Sequence, residues 1–142
     1  VAEASEIIAK LALEPHPEGG WYRQTWVGPD REGRASGTAI LFLLARGERS
    51  HWHRVDADEI WIWNAGAPLA LSLGEARAAT VTLGPDVLGG QQVQALVPAG
   101  HWQAARSLGD WTLVSCTVSP GFRFEGFELA PPEFTLPEAA QG

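Results

Sequence analysis

From Trp21 to Leu129 the chain reads as short β-rich runs broken by turn signals at near-regular spacing. The runs are WYRQTWV, GTAILFLLA, HWHRV, EIWIW, PLALSL, AATVTL, QVQALV, HWQAA, WTLVSCTVS and FRFEGFEL. Glycine-, proline- and Asp/Asn-bearing stretches such as GPDREGR, NAG, PAG and SPG separate them. No run is long enough for a crossover helix between parallel strands. The pattern predicts an all-β antiparallel sandwich or barrel rather than an alternating α/β fold. One helix is expected, over residues 3–13, where Ile7, Ile8 and Leu11 share a face and Pro15 and Pro17 follow. No repeat or linker interrupts the 142 residues, so a single domain is expected, with its core at about 13–135. The Pro-rich tail APPEFTLPEAAQG is expected to pack briefly and then fray.

Charge narrows the partners. A formal net charge of −7 repels a phosphate backbone, so nucleic acid is not an expected partner. The single cysteine, Cys116, lies in an apolar strand and reads as a small core residue. The longest apolar run, AILFLLA at 39–45, is far too short for a membrane helix, and VAEASEIIAK lacks the features of a secretory leader. A cytoplasmic protein that does not enter membranes is the expectation.

Strand parity locates candidate functional residues. Alternate side chains share a face, so His51 and His53 are expected to point the same way, as are Glu59, Trp61 and Trp63. Ile60 and Ile62 occupy the other face of that second run, which is therefore apolar on both sides. A second sheet or a second copy of the chain must cover it, and a homodimer is expected.

Residues i and i+2 of a strand lie about 6.5–7 Å apart, close enough for two imidazoles to converge on one ion. With Glu59, His51 and His53 would make a two-histidine, one-carboxylate triad with open positions, suited to iron or manganese. The same residues support acid/base chemistry without an ion. His53 beside Glu59 could take a proton from carbon next to a carbonyl, with Tyr22, the only tyrosine, as partner acid. A third reading is a non-enzymatic pocket with an aromatic wall and a polar floor, lined by His51, Trp61, Trp63, Gln91, His101 and Gln103. In HPEGGWYR, Pro17 and the Gly19–Gly20 pair fix a tight entry into a strand, and Glu18 and Arg23 either pair or face the pocket. His16 reads as a loop residue.

The run from Gly47 through His51, His53 and Glu59 to Gly66 resembles the first motif of the cupin superfamily. The Pro98–Ala99–Gly100 turn resembles the second, with Gln103 where that motif carries its last histidine. LEPHPEGGWYRQT, SHWHRVDADEIWIWNAGAPL, VPAGHWQAA and WTLVSCTVSPGFRFEGFELA are similar, in order, to one branch, cupin family five, a family of largely uncharacterised domains. The resemblance implies a double-stranded β-helix, that is, a jelly-roll barrel like the sugar-nucleotide epimerases and germins, commonly dimeric. It implies a possible divalent metal (Fe, Mn, Ni or Zn) at His51, His53 and Glu59, weakened by Gln103. The leading functional reading is sugar or sugar-nucleotide isomerase or epimerase chemistry on a small polar metabolite. A metal-dependent oxygenase or isomerase and a plain binding protein are the alternatives.

Overall fold

The strand at Trp111–Ser119 shows how the sequence builds its barrel. Thr112, Val114, Cys116 and Val118 are buried, while the residues between them are only partly covered. That period of two turns one face inward and leaves the other outside. The computed structural model describes residues 2–139. In chain order its elements begin with α1 (Ala4–Leu11), β1 (Glu14–Pro15), β2 (Trp21–Val27), β3 (Asp30–Arg31), β4 (Arg34–Ala35) and β5 (Thr38–Ala45). There follow β6 (Arg49–Val55), β7 (Asp58–Gly66), β8 (Leu69–Gly74) and β9 (Ala79–Leu83). The last are β10 (Gln94–Val97), β11 (Trp102–Ser107), β12 (Trp111–Ser119) and β13 (Phe127–Leu129).

Two antiparallel sheets face each other. One has the order β1-β2-β5-β12-β7-β10 and the other β13-β6-β11-β8-β9; β3 and β4 form a separate hairpin. Neighbours in each sheet are mostly distant in sequence, as in the expected jelly roll. The main core fills the space between the sheets with Phe42, Leu44, Trp61, Leu69, Leu71, Leu83, Val97 and Val114. A satellite cluster of Trp52, Ala78 and Ala130 lies under Phe134 and Leu136 of the tail. The tail is anchored there through Ala78 N–H to Pro137 O, at 2.8 Å. Its expected fray falls on residues 140–142, outside the described residues.

The helix is shorter than the periodicity predicts. Glu3 and Glu6 cap its start reciprocally, and Ala12 turns left-handed at its end. The chain thus leaves the helix before the prolines, and Leu13 is buried. Among the described residues no helix is long and apolar enough to cross a membrane. On the outer face of the six-stranded sheet, Ile60 and Leu96 lie directly across from one another and are 37% and 53% exposed.

Candidate functional site

A cavity of about 140 Å³ opens at one end of the barrel. Tyr22 and Gln24 from β2, Thr38 and Ile40 from β5, and Cys116 and Val118 from β12 form one wall. His53 and Val55 from β6 face them, and Glu59 comes from the start of β7. The 16–18 loop adds His16 and Glu18, and Phe122 and Phe124 stand beyond β12. Phe124 is 56% exposed and marks the mouth.

The polar floor is built by an irregularity in β6. Gln103 of β11 pairs with His53, but Ala105, two residues on, pairs with Ser50, three residues back. One extra residue is therefore accommodated in β6, which breaks the alternation of its side chains. Ser50 and His53 both face inward and are buried. Trp52 packs outward under the tail. His51 also lies on the outer surface, its Nε2 2.8 Å from the Pro131 carbonyl oxygen. The expectation that His51 and His53 share a face is thus corrected: the bulge separates them.

Glu18 is brought in by the glycines that follow it. Gly19 has φ +110°, and a Cβ there would lie 2.1 Å from the Arg49 carbonyl oxygen. Only glycine lets the loop backbone press so closely on β6. His51 N–H then donates to Glu18 O at 2.8 Å. On the side chain, Ser50 Oγ–H donates to Glu18 Oε2. Glu18 Oε1 lies 3.4 Å from His16 Nδ1 and 3.5 Å from His53 Nε2. Only 9% of the Glu18 side chain is exposed, and burial raises its pKa to about 8 despite the Ser50 hydrogen bond. Burial thus favours the protonated form of Glu18 near neutral pH.

The two histidines are held neutral. His53 Nδ1 is 2.7 Å from the His51 carbonyl oxygen. A carbonyl only accepts, so Nδ1 carries the hydrogen and the Nε2 lone pair faces Glu18. Burial lowers the His53 pKa, against the nearby Glu59 charge and the His51 hydrogen bond, which raise it. His16 Nδ1 accepts from Glu18 N–H at 3.1 Å, and burial, then the His53 charge, depress its pKa to about 4. The His16 ring stands edge-on to Tyr22, with centroids 4.5 Å apart.

Glu59 ends a buried chain of hydrogen bonds. Trp61 Nε1–H donates to Gln103 Oε1 at 2.7 Å, and Gln103 Nε2–H donates to Glu59 Oε1 at 2.9 Å. Indole can only donate, so it fixes which end of the amide faces the carboxyl. Burial pushes the Glu59 pKa up to about 7, with Glu18 adding to the rise and His53, Gln103 and Cys116 opposing it. Burial likewise raises the Cys116 thiol, which stays protonated.

The structure therefore brings His53, Glu59 and Tyr22 to one cavity together with Glu18 and His16, with Ser50 behind Glu18. It separates the other candidates. Trp61 is a core residue, 1% exposed, and Trp63 packs on the core with Nε1–H bonded to Ala67 O. Gln103 is buried behind Glu59. Gln91 Oε1 accepts from Asp86 N–H in the loop before β10. His101 Nε2 meets Glu75 at 3.1 Å outside the cavity. Arg23 is exposed on β2, between the cavity-lining Tyr22 and Gln24. HPEGG carried a usable signal for Glu18, namely two glycines that announce close backbone approach. Nothing in the residue types of β6 announces its bulge.

The donor set implied for a metal does not fit. His51 points away, and both ends of the Gln103 amide are occupied by Trp61 and Glu59. Among the described residues no three His, Cys, Asp or Glu side chains form a group that could hold an ion.

The comparisons agree with this architecture. Residues 5–130 match the family model described as Cupin superfamily (DUF985). A Shewanella oneidensis protein of known structure is 38% identical, with TM-score 0.87, covering 92% of this chain and 85% of its own. A hypothetical protein from Leishmania major is 32% identical, with TM-score 0.82, covering 89% and 86%. A dTDP sugar isomerase from Desulfovibrio desulfuricans shares the fold at 18% identity and TM-score 0.58, covering 79% and 85%. No curated protein sequence matches the chain. The chain is a member of the cupin superfamily, in its DUF985 branch.

Proposed function

We propose that the cavity catalyses proton transfer at carbon next to a carbonyl, in the manner of a sugar isomerase or epimerase, on a small polar metabolite. One observation carries this reading: His53 Nε2 and Glu18 Oε1 face each other at 3.5 Å inside a buried pocket, where burial favours the neutral form of both groups. An unprotonated base next to a neutral acid is the pairing such chemistry needs near neutral pH. His53 Nε2 takes the proton as the C–H bond breaks, and the electron pair moves into a carbon–carbon double bond. Glu18 gives its proton to the carbonyl oxygen, forming an enediol. A proton then returns to carbon while the enediol oxygen that becomes the carbonyl gives its proton back to Glu18. Return from His53 to the neighbouring carbon gives the isomer, and return from Tyr22 to the opposite face gives the epimer. In the second case His53 then gives its proton to solvent and the tyrosinate regains one. Glu59, held by Gln103, balances the charge that His53 gains. The dTDP sugar isomerase of the same fold lends support at the level of architecture.

The test is exchange in deuterated water over a panel of hydroxycarbonyl compounds and sugar nucleotides, followed by NMR. Deuterium is expected at the carbon next to the carbonyl, and His53→Gln should slow its entry by about 10²–10⁴-fold. Ligands that raise the melting temperature yet never exchange would replace this reading with that of a binding protein.

We also propose that a second copy of the chain covers the outer face at Ile60 and Leu96, where a strand apolar on both sides otherwise meets water. Sedimentation at micromolar concentration should return a dimer, shifted toward monomer by Leu96→Asp. A wild-type monomer would exclude the pairing.

A further inference from the structure

We propose that the cavity selects uncharged hydroxycarbonyl compounds of about triose or tetrose size and rejects their phosphorylated counterparts. This rests on the proton-transfer reading for the carbonyl and on the cavity alone for charge and size.

Charge comes first. Among the described residues that line the cavity there is no lysine or arginine, while two carboxyls, Glu18 and Glu59, form its floor. A phosphate drawn inside would lose water without gaining a cation, and its charge would be opposed by Glu59 once that carboxyl ionises, at about pH 7. The arginines nearest the mouth are committed elsewhere. Arg34 donates to both Asp56 carboxylate oxygens and, through Nε, to Gly121 O. Arg123 Nη2 lies 3.7 Å from Asp56 Oδ2. Arg23 belongs to the alternate face of β2 from Tyr22 and Gln24, which line the pocket. The net charge of −7 opposes anions at longer range.

Size agrees. A volume of about 140 Å³ is close to that of the roughly 150 Å³ engineered cavity that holds benzene, so a triose of about six heavy atoms fills it and a tetrose of about eight reaches into its open mouth. A sugar nucleotide would leave its base and pyrophosphate outside, beside Phe124. The lining suits a compact polyol: Tyr22, His16, Glu18 and His53 supply donors and acceptors, and Ile40 and Val118 cover carbon.

The experiment compares matched pairs by NMR titration at low salt, dihydroxyacetone against dihydroxyacetone phosphate and erythrulose against its phosphate. Each neutral member is expected to bind at least about tenfold more tightly than its phosphate ester. Gln24→Lys, which places a cation on the exposed strand at the wall, should raise affinity for the phosphates and narrow the gap. Equal or tighter binding of the phosphates by the wild type, or failure of every neutral member to bind at millimolar concentration, would overturn the proposal. Because binding is read without turnover, the two ideas fail separately. Neutral selectivity without deuterium exchange sinks only the reaction, and phosphate preference with exchange sinks only the selectivity.

Discussion

Trp61→Ala is expected to destabilise the protein by about 4 kcal/mol, read as a lower midpoint in urea unfolding with little change in slope. The indole is 1% exposed and stands edge-on to Phe42 at 5.9 Å in the main core, so truncation leaves a cavity no neighbour can fill. It also removes the donor that orients Gln103. Trp61→Phe separates the two effects. Much of the packing stays, but Gln103 Oε1 loses the indole's hydrogen bond in a buried site, at a cost of about 1–3 kcal/mol. A freed amide could then turn its oxygen toward Glu59 and raise that carboxyl further. A Trp61→Phe protein as stable as wild type would show that the indole N–H does not hold this chain together.

Stability should fall as pH rises from about 6.5 to 8, by about 2 kcal/mol, and Glu18→Gln should remove most of the fall. A carboxyl whose folded pKa is raised keeps its proton when folded and loses it when unfolded, so rising pH favours unfolding between the two values. For Glu18 that window runs from 4.5 to about 8, and for Glu59 from 4.5 to about 7. The buried histidines act in the opposite sense. Their folded pKa values lie below 6.5, to about 4 for His16, so they make stability rise with pH up to 6.5. From about 4.5 to 6.5 His16, helped by His53, opposes the carboxyls and blunts the fall. Above 6.5 only the carboxyls act, and Glu18 acts longest. Thermal melts across this range check the sign. A melting temperature that climbs from pH 6.5 to 8 would mean that Glu18 is ionised in the fold.

Much of the fold was legible because strand alternation and turn chemistry are local. WYRQTWV and WTLVSCTVS coincide with strands residue for residue, since each is bounded by glycine, proline or aspartate signals, and the second alternates cleanly. FRFEGFEL was less so: its first part makes a 3-10 turn at Phe124–Gly126 before the short strand. The site was only half legible. Glu59 lies inward as parity requires, and so does Trp61, yet parity cannot say how far along the barrel axis a residue sits. Trp61 is therefore core where a pocket wall was expected. In β6 one extra residue redirects His51 and substitutes Ser50, a change of face that depends on pairing with β11 and not on the residues themselves. Glu18 and His16 lie in a loop, where no periodicity applies. Their inward placement follows from the close contact of Gly19 with Arg49, which is tertiary information.

The reading of the cavity rests on a protonated Glu18 facing a neutral His53. Carbon-13 labelling of the glutamate carboxyls, read by infrared difference spectroscopy at pH 7 between the wild type and Glu18→Gln, reports that protonation state directly. A carboxylic-acid band in the wild type, weakened by the substitution and titrating near pH 8, is the expected result. A wild-type spectrum with every glutamate ionised at pH 7, or an acid band untouched by Glu18→Gln, would contradict it.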